Sequence, residues 1–168
     1  MTDIKDFKEV IQVVPLKVVR QPNTIIVEDF IGRKGENIPE ITDFLGTLQG
    51  GLTQFTSPGW VGGNHVHQTK REVTLVYNPL TFYVQNPVNQ DIIALIVPAY
   101  HKVYLSEGFP HAVENHTQEI AQLQEFHNYG FIEGDENDIK RLPDNKKLDF
   151  LFKKSGQKPL TLEEFWKM

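Results

Sequence analysis

From Glu72 to His127 the chain alternates short apolar, β-branched and aromatic runs with turn-forming residues, and this spacing limits the available folds more than any other feature. Glu72–Tyr77, Leu80–Gln85, Ile92–Val97, Lys102–Leu105, His111–Glu114 and Glu119–His127 each read as a strand. Asn78-Pro79, Asn86–Gln90, Pro98 and Ser106–Pro110 divide them with residues that favour turns or cannot join a ladder. Upstream, Val10–Val14, Lys17–Arg20, Thr24–Phe30 and Leu52–Thr56 repeat the pattern around Pro15, Gln21-Pro22-Asn23 and Gly50-Gly51. Many short strands separated in this way predict an all-β sandwich or barrel of jelly-roll type. Gly32–Pro39 reads as a loop, and Ile41–Leu48 is either a short helix or the lead into the next strand.

The segment Gly59–Glu72 carries the chemistry. His65 and His67 are two residues apart, so on an extended backbone both point to one face, and Glu72 follows five residues later. His111, after the turn-like Glu107-Gly108-Phe109-Pro110, supplies a third imidazole. The chain has no cysteine, so any metal must be held by nitrogen and oxygen. Three imidazoles and a carboxylate suit Zn, Mn, Fe or Ni and leave a position open for substrate.

The same residues carry a family resemblance. Gly59, then His65-Val66-His67, then Glu72 resembles the first motif of the cupin superfamily, and Gly108…His111…Asn115 resembles the second. Pro79-Leu80 stands where the first motif commonly ends in glycine, and Ser106 where proline is common; neither position is a ligand. The resemblance implies a cupin jelly roll binding a divalent metal through His65, His67, Glu72 and His111. Pro58-Gly59-x-x-x-Gly63-Asn64-His65-x-His67-x-Thr69-Lys70-x-Glu72 is also similar to the cupin domain of capsular-polysaccharide enzymes that act on nucleotide sugars. In those enzymes a reductase domain accompanies a zinc-binding cupin that epimerises carbon next to a sugar ketone. This chain shows no Gly-rich strand–helix start, so a stand-alone cupin is expected.

The activity so implied is isomerisation or epimerisation of a sugar or small carbonyl substrate through an enolate stabilised by the metal. The alternatives are a cupin dioxygenase acting on an enol and a non-catalytic sugar- or metabolite-binding cupin. No residue is assigned as the catalytic base. Gln54, Lys70, Tyr77 and His127 are candidate substrate contacts, whereas His101 and His116 read as structural or solvated. Lys70 and Arg71 stand where a phosphate or carboxylate could be held, and Asn115 reads as a turn-fixing residue.

Beyond the site, a net charge of −5 gives no reason to expect nucleic acid or an anionic membrane as partner, and a small-molecule substrate, a sugar or nucleotide sugar, is expected. The N-terminal Met1-Thr2-Asp3-Ile4-Lys5-Asp6 is charged where a signal peptide is apolar, so a cytoplasmic protein is expected. One domain over residues 1–168 is expected, with its metal-binding core at about 50–128 and a charged, helical tail at about 133–168. Glu133–Lys154 reads as a surface excursion. Thr161-Leu162-Glu163-Glu164 has the spacing of a capping box, predicting a short C-terminal helix that buries Phe165 and Trp166. Val73, Leu75 and Tyr77 make the face of their strand opposite Glu72 apolar as well, so that face must be covered, by N-terminal strands or by a second subunit, and the cupin resemblance implies a homodimer.

Overall fold

The computed structural model describes residues 5–22, 24–28, 44–46, 50–128 and 139–167. After a short helix α1 (Lys5–Lys8), β1 (Ile11–Pro15), β2 (Lys17–Gln21) and β3 (Thr24–Glu28) occupy the three N-terminal runs. The expected loop at Gly32–Pro39 lies outside the described residues, as does all of Ile41–Leu48 except Phe44–Gly46, where Phe44 and Leu45 are helical. The strands β4 (Gly50–Thr56), β6 (Glu72–Val76), β7 (Leu80–Gln85), β8 (Ile92–Val97), β9 (His101–Leu105), β10 (His111–Glu114) and β11 (Ala121–His127) follow the sequence reading closely, and β5 (Val61–His67) supplies the extended backbone on which the His65 and His67 reading depended. Beyond residues 129–138, which are not described, come β12 (Ile139–Arg141), α2 (Leu148–Ser155), β13 (Leu160–Thr161) and α3 (Leu162–Lys167).

The strands form two main sheets, in the orders β1-β9-β6-β11-β4 and β12-β5-β10-β7-β8-β13, with β2 and β3 a separate hairpin. This is the expected jelly-roll sandwich. Alternate residues turn inward, so Val76, Val103, Leu105 and Leu123 of the first sheet meet Leu80, Phe82, Leu95 and Val113 of the second. Burying each such side chain contributes roughly 1.5–3 kcal/mol.

Both outer faces are covered as well. On the first sheet Val73 and Leu75 are fully buried with Tyr104 and Phe126 beneath Leu16 and Leu45, with Val27 and Phe44 packed alongside. The cover over Val73 and Leu75 therefore comes from this same chain, which is the first of the two arrangements expected for that face. On the second sheet Leu148 and Phe152 of α2 pack on Tyr83, Ala94 and Ala112. The described part of Glu133–Lys154 is thus not a surface excursion: β12 extends the second sheet and α2 covers it. The reason is the four-residue spacing of Leu148 and Phe152, which puts both on the buried face of a helix whose Asp149, Lys153 and Lys154 carry charge.

At the C-terminus the capping box forms: Thr161 N donates to Glu164 Oε2 (2.7 Å) and Glu164 N to Thr161 Oγ1 (3.2 Å). Phe165 joins the central core, but Trp166 remains 46 % exposed, contrary to expectation, because adjacent helical residues diverge by about a quarter turn. Among the described residues no helix is long and apolar enough to cross a membrane.

Candidate metal centre

The site is built on an irregularity of β5. Gly63 and Asn64 have φ of +78° and +53°, and the ladder between β5 and β10 shifts register there, pairing His111 with His65 but Ala112 with Gly63. A Cβ on Gly63 would lie 3.0 Å from Ala112 Cα and 3.1 Å from His111 O, so only glycine admits both the left-handed turn and the close approach of β10. The bulge brings His65 beside His111 across two neighbouring strands, with His67 two residues on. Glu72, the first residue of β6, reaches across from the opposite sheet.

The four side chains converge. One ligand atom from each of His65, His67, Glu72 and His111 lies within 4.8 Å of all the others. Glu72 Oε1 is 3.3 Å from His67 Nε2, and Glu72 Oε2 is 3.1 Å from His111 Nε2. The His65 ring centroid is 4.5 Å from that of His67 and 4.7 Å from that of His111. His111 Nδ1 donates to Phe109 O at 3.0 Å, which turns Nε2 toward Glu72 and fixes the tautomer a ligand needs.

Burial sets the protonation. It pushes His65 down to about 3, with His111 and His67 adding to the effect, so His65 is a neutral imidazole at any physiological pH. Burial alone would raise Glu72, but hydrogen bonds from His111 and His67 hold it well below the usual carboxylate range. Burial likewise opposes charge on His111, yet the Glu72 carboxylate outweighs it and raises this group. A neutral His65 beside an ionised Glu72 matches the protonation states that metal binding requires of these two groups.

The donor set fits a divalent ion. Donors about 2.0–2.2 Å from a shared ion sit about 2.8–3.6 Å apart at octahedral to tetrahedral angles, and His67 Nε2 and His111 Nε2 each approach one oxygen of Glu72 at such a separation, Oε1 at 3.3 Å and Oε2 at 3.1 Å. His65 Nε2 is buried with no hydrogen-bond partner among the described residues, and such an atom is costly unless something binds it.

A cavity of about 110 Å³ opens beside these residues, lined by His65 and His111 of the second sheet and by Glu72, Gln54 and Glu125 of the first. Trp60 and Phe82 supply apolar wall. Glu125 was missed in the sequence. Its signal was alternation in β11, where Leu123 lies in the core and Glu125, two residues later, turns to the same inner face. Burial and the Glu72 charge push its carboxyl up to about 7.

The structure sorts the other candidates. Gln54 lines the cavity, as expected. Lys70 does not; its Nζ sits 3.2 Å from Glu72 Oε1. Arg71 is bound to Glu107 through Nε (2.7 Å) and Nη2 (3.1 Å), and to Phe44 O through Nη1 (3.1 Å). Tyr77 lies away from the cavity, packed on the outer cluster of the first sheet, and its hydroxyl donates to Gln124 Oε1. His127 is 1 % exposed and pairs with Glu72 in the β11–β6 ladder, but it does not line the cavity. Asn115 fixes a turn as expected: Nδ2 donates to Thr56 O and Glu119 O, while Oδ1 accepts from Thr117 N.

No protein-family model and no curated protein matches the chain. Among solved structures it is similar to a dTDP sugar isomerase from Desulfovibrio desulfuricans (TM-score 0.64, 9% identity, 82% of this chain and 87% of that one). It is similar to a mutant of the 3,4-ketoisomerase QdtA from Thermoanaerobacterium thermosaccharolyticum in complex with TDP-4-keto-6-deoxyglucose (TM-score 0.57, 17% identity, 85% and 94%). It is also similar to CapF bound to the inhibitor 3-isopropenyl-tropolone (TM-score 0.51, 21% identity, 76% of this chain and 34% of that one). These likenesses establish the fold as a cupin-type jelly roll.

Proposed function

We propose that this chain is a metal-dependent cupin enzyme that isomerises or epimerises a keto sugar carried on a nucleotide. The observation that carries the reading is the convergence of His65, His67, Glu72 and His111 on a cavity that holds a second carboxylate, Glu125, outside the ligand set. The substrate class is supported by the activities and ligands of the structural neighbours, a dTDP sugar isomerase and a sugar 3,4-ketoisomerase with its bound keto sugar.

His65, His67, Glu72 and His111 would hold the ion, with Nε2 of His65 and His111 turned toward it. A divalent cation so held supplies an electrophile that polarises a sugar carbonyl and acidifies the neighbouring C–H. Glu125, which lines the cavity from β11 next to β6, takes the proton from that carbon and returns it to the other face or the adjacent position. Gln54 orients a hydroxyl through its amide, and Trp60 and Phe82 exclude water from the reacting carbon.

Elemental analysis of the purified protein, paired with His65→Ala/His111→Ala, tests the reading. About one equivalent of metal in the wild type, lost in the double variant, is expected, together with washout of the proton beside the ketone of TDP-4-keto-6-deoxyglucose in D2O. Metal content unchanged by the double substitution, or no washout by the metal-loaded wild type, would overturn it.

A further inference from the structure

Lys70 leaves the turn between β5 and β6 and folds back onto Glu72, placing Nζ 3.2 Å from Oε1. It is only 9 % exposed. His67 Nε2 approaches the same oxygen at 3.3 Å, so Oε1 is shared between an imidazole and an ammonium, while Oε2 faces His111 at 3.1 Å. Glu72 is 7 % exposed, and a carboxylate at that depth requires a counter-charge. The neighbouring Arg71 does not supply it, being bound instead to Glu107 and Phe44 O.

An ion ligated by Glu72 would sit about 2.0–2.2 Å from a carboxylate oxygen. If that oxygen is Oε1, the ion lies within roughly 5.4 Å of the Lys70 ammonium. At that separation, in a site shielded from solvent, salt screens poorly and the repulsion between a dication and an ammonium is large. Both cations would then draw on the same carboxylate oxygen.

Accepting the metal reading above, we infer that Lys70 is an internal competitor for the metal: its ammonium holds Glu72 in the cation-free protein and lowers the affinity of the site for a divalent ion. This makes Lys70 a positioning residue that acts through Glu72 and sets which metal concentrations load the site. The inference predicts that neutralising Lys70 tightens metal binding. A lysine that merely aligned Glu72 for the metal would do the reverse.

The experiment titrates Co2+ into chelator-treated wild type, Lys70→Met, Lys70→Gln and Lys70→Arg, read by the visible ligand-field bands in competition with a chromophoric chelator. Circular dichroism verifies folding. Lys70→Met and Lys70→Gln are expected to bind Co2+ tenfold or more tightly than wild type, with Lys70→Arg close to wild type because it keeps the charge. Lys70→Gln retains a donor for Glu72 Oε1, so it separates loss of charge from loss of the hydrogen bond, and it decides the matter if Lys70→Met does not fold. Unchanged or weaker binding by the neutral variants, with wild type binding normally, would overturn the inference alone. Absence of Co2+ binding in wild type and variants alike would overturn it together with the metal reading. Binding by a neutral variant and not by wild type would support both.

Discussion

Glu125 and Glu72 show how one residue type acquires two characters on neighbouring strands of one sheet. Glu72 is held ionised by His111 and His67 against the effect of burial, whereas Glu125 has burial and the Glu72 charge acting together to favour its neutral form. Such divergence within one cavity is the usual mark of divided labour between carboxylates. If Glu125 carries the proton, Glu125→Gln loses about 10²–10⁴-fold in kcat while keeping the metal content of wild type, as measured by steady-state kinetics beside elemental analysis. Parallel loss of metal and activity would instead make Glu125 a support for the ligand set. At this scale the sequence was most informative where function depends on local spacing. The shared face of His65 and His67 could be read from an alternation that any extended backbone obeys, Glu72 from the motif resemblance, and Asn115 from its habit of bonding nearby backbone. Tyr77 could not be placed in this way, because its spacing names a face of β6 without naming what lies against that face.

The element least visible in advance is α2. Lys147, which precedes its first residue, makes no side-chain cap, and the missing acceptor comes from β5, where Asn64 Oδ1 accepts from Leu148 N at 2.7 Å and Nδ2 donates to Asp149 Oδ1 at 3.0 Å. A helix capped by a residue more than eighty positions away leaves no local start signal. By contrast α3, capped by its own Thr161 and Glu164, was legible. Asn64→Ala should therefore cost about 1–2 kcal/mol, the scale of a lost cap. Urea unfolding at fixed metal load measures this, with an unchanged midpoint as the result that denies the cap. Asn64 also adjoins His65, so the cap ties α2 to the strand that carries two of the candidate ligands.

Taken as a whole, the sandwich is covered on both outer faces by its own chain, by the β3 and Phe44–Leu45 side chains over the first sheet and by α2 over the second. Leu75→Ala removes a fully buried side chain from the first of these clusters and should cost about 2–5 kcal/mol. Because the cover is intramolecular, the melting temperature of Leu75→Ala should not depend on protein concentration. A concentration-dependent value would place a second copy on that face. The sequence by itself determined the period-two strands, their turns and the single-face placement of His65 and His67, because these follow from φ/ψ preferences and from geometry between near neighbours. Only the tertiary structure decided that Glu125 enters the same cavity, that Lys70 folds onto Glu72, that Tyr77 lies elsewhere and that α2 belongs to the second sheet. Apart from the local Lys70–Glu72 contact, each of those depends on which distant elements pack together and in what register, which is chosen by burial over the whole chain rather than by any local run of residues.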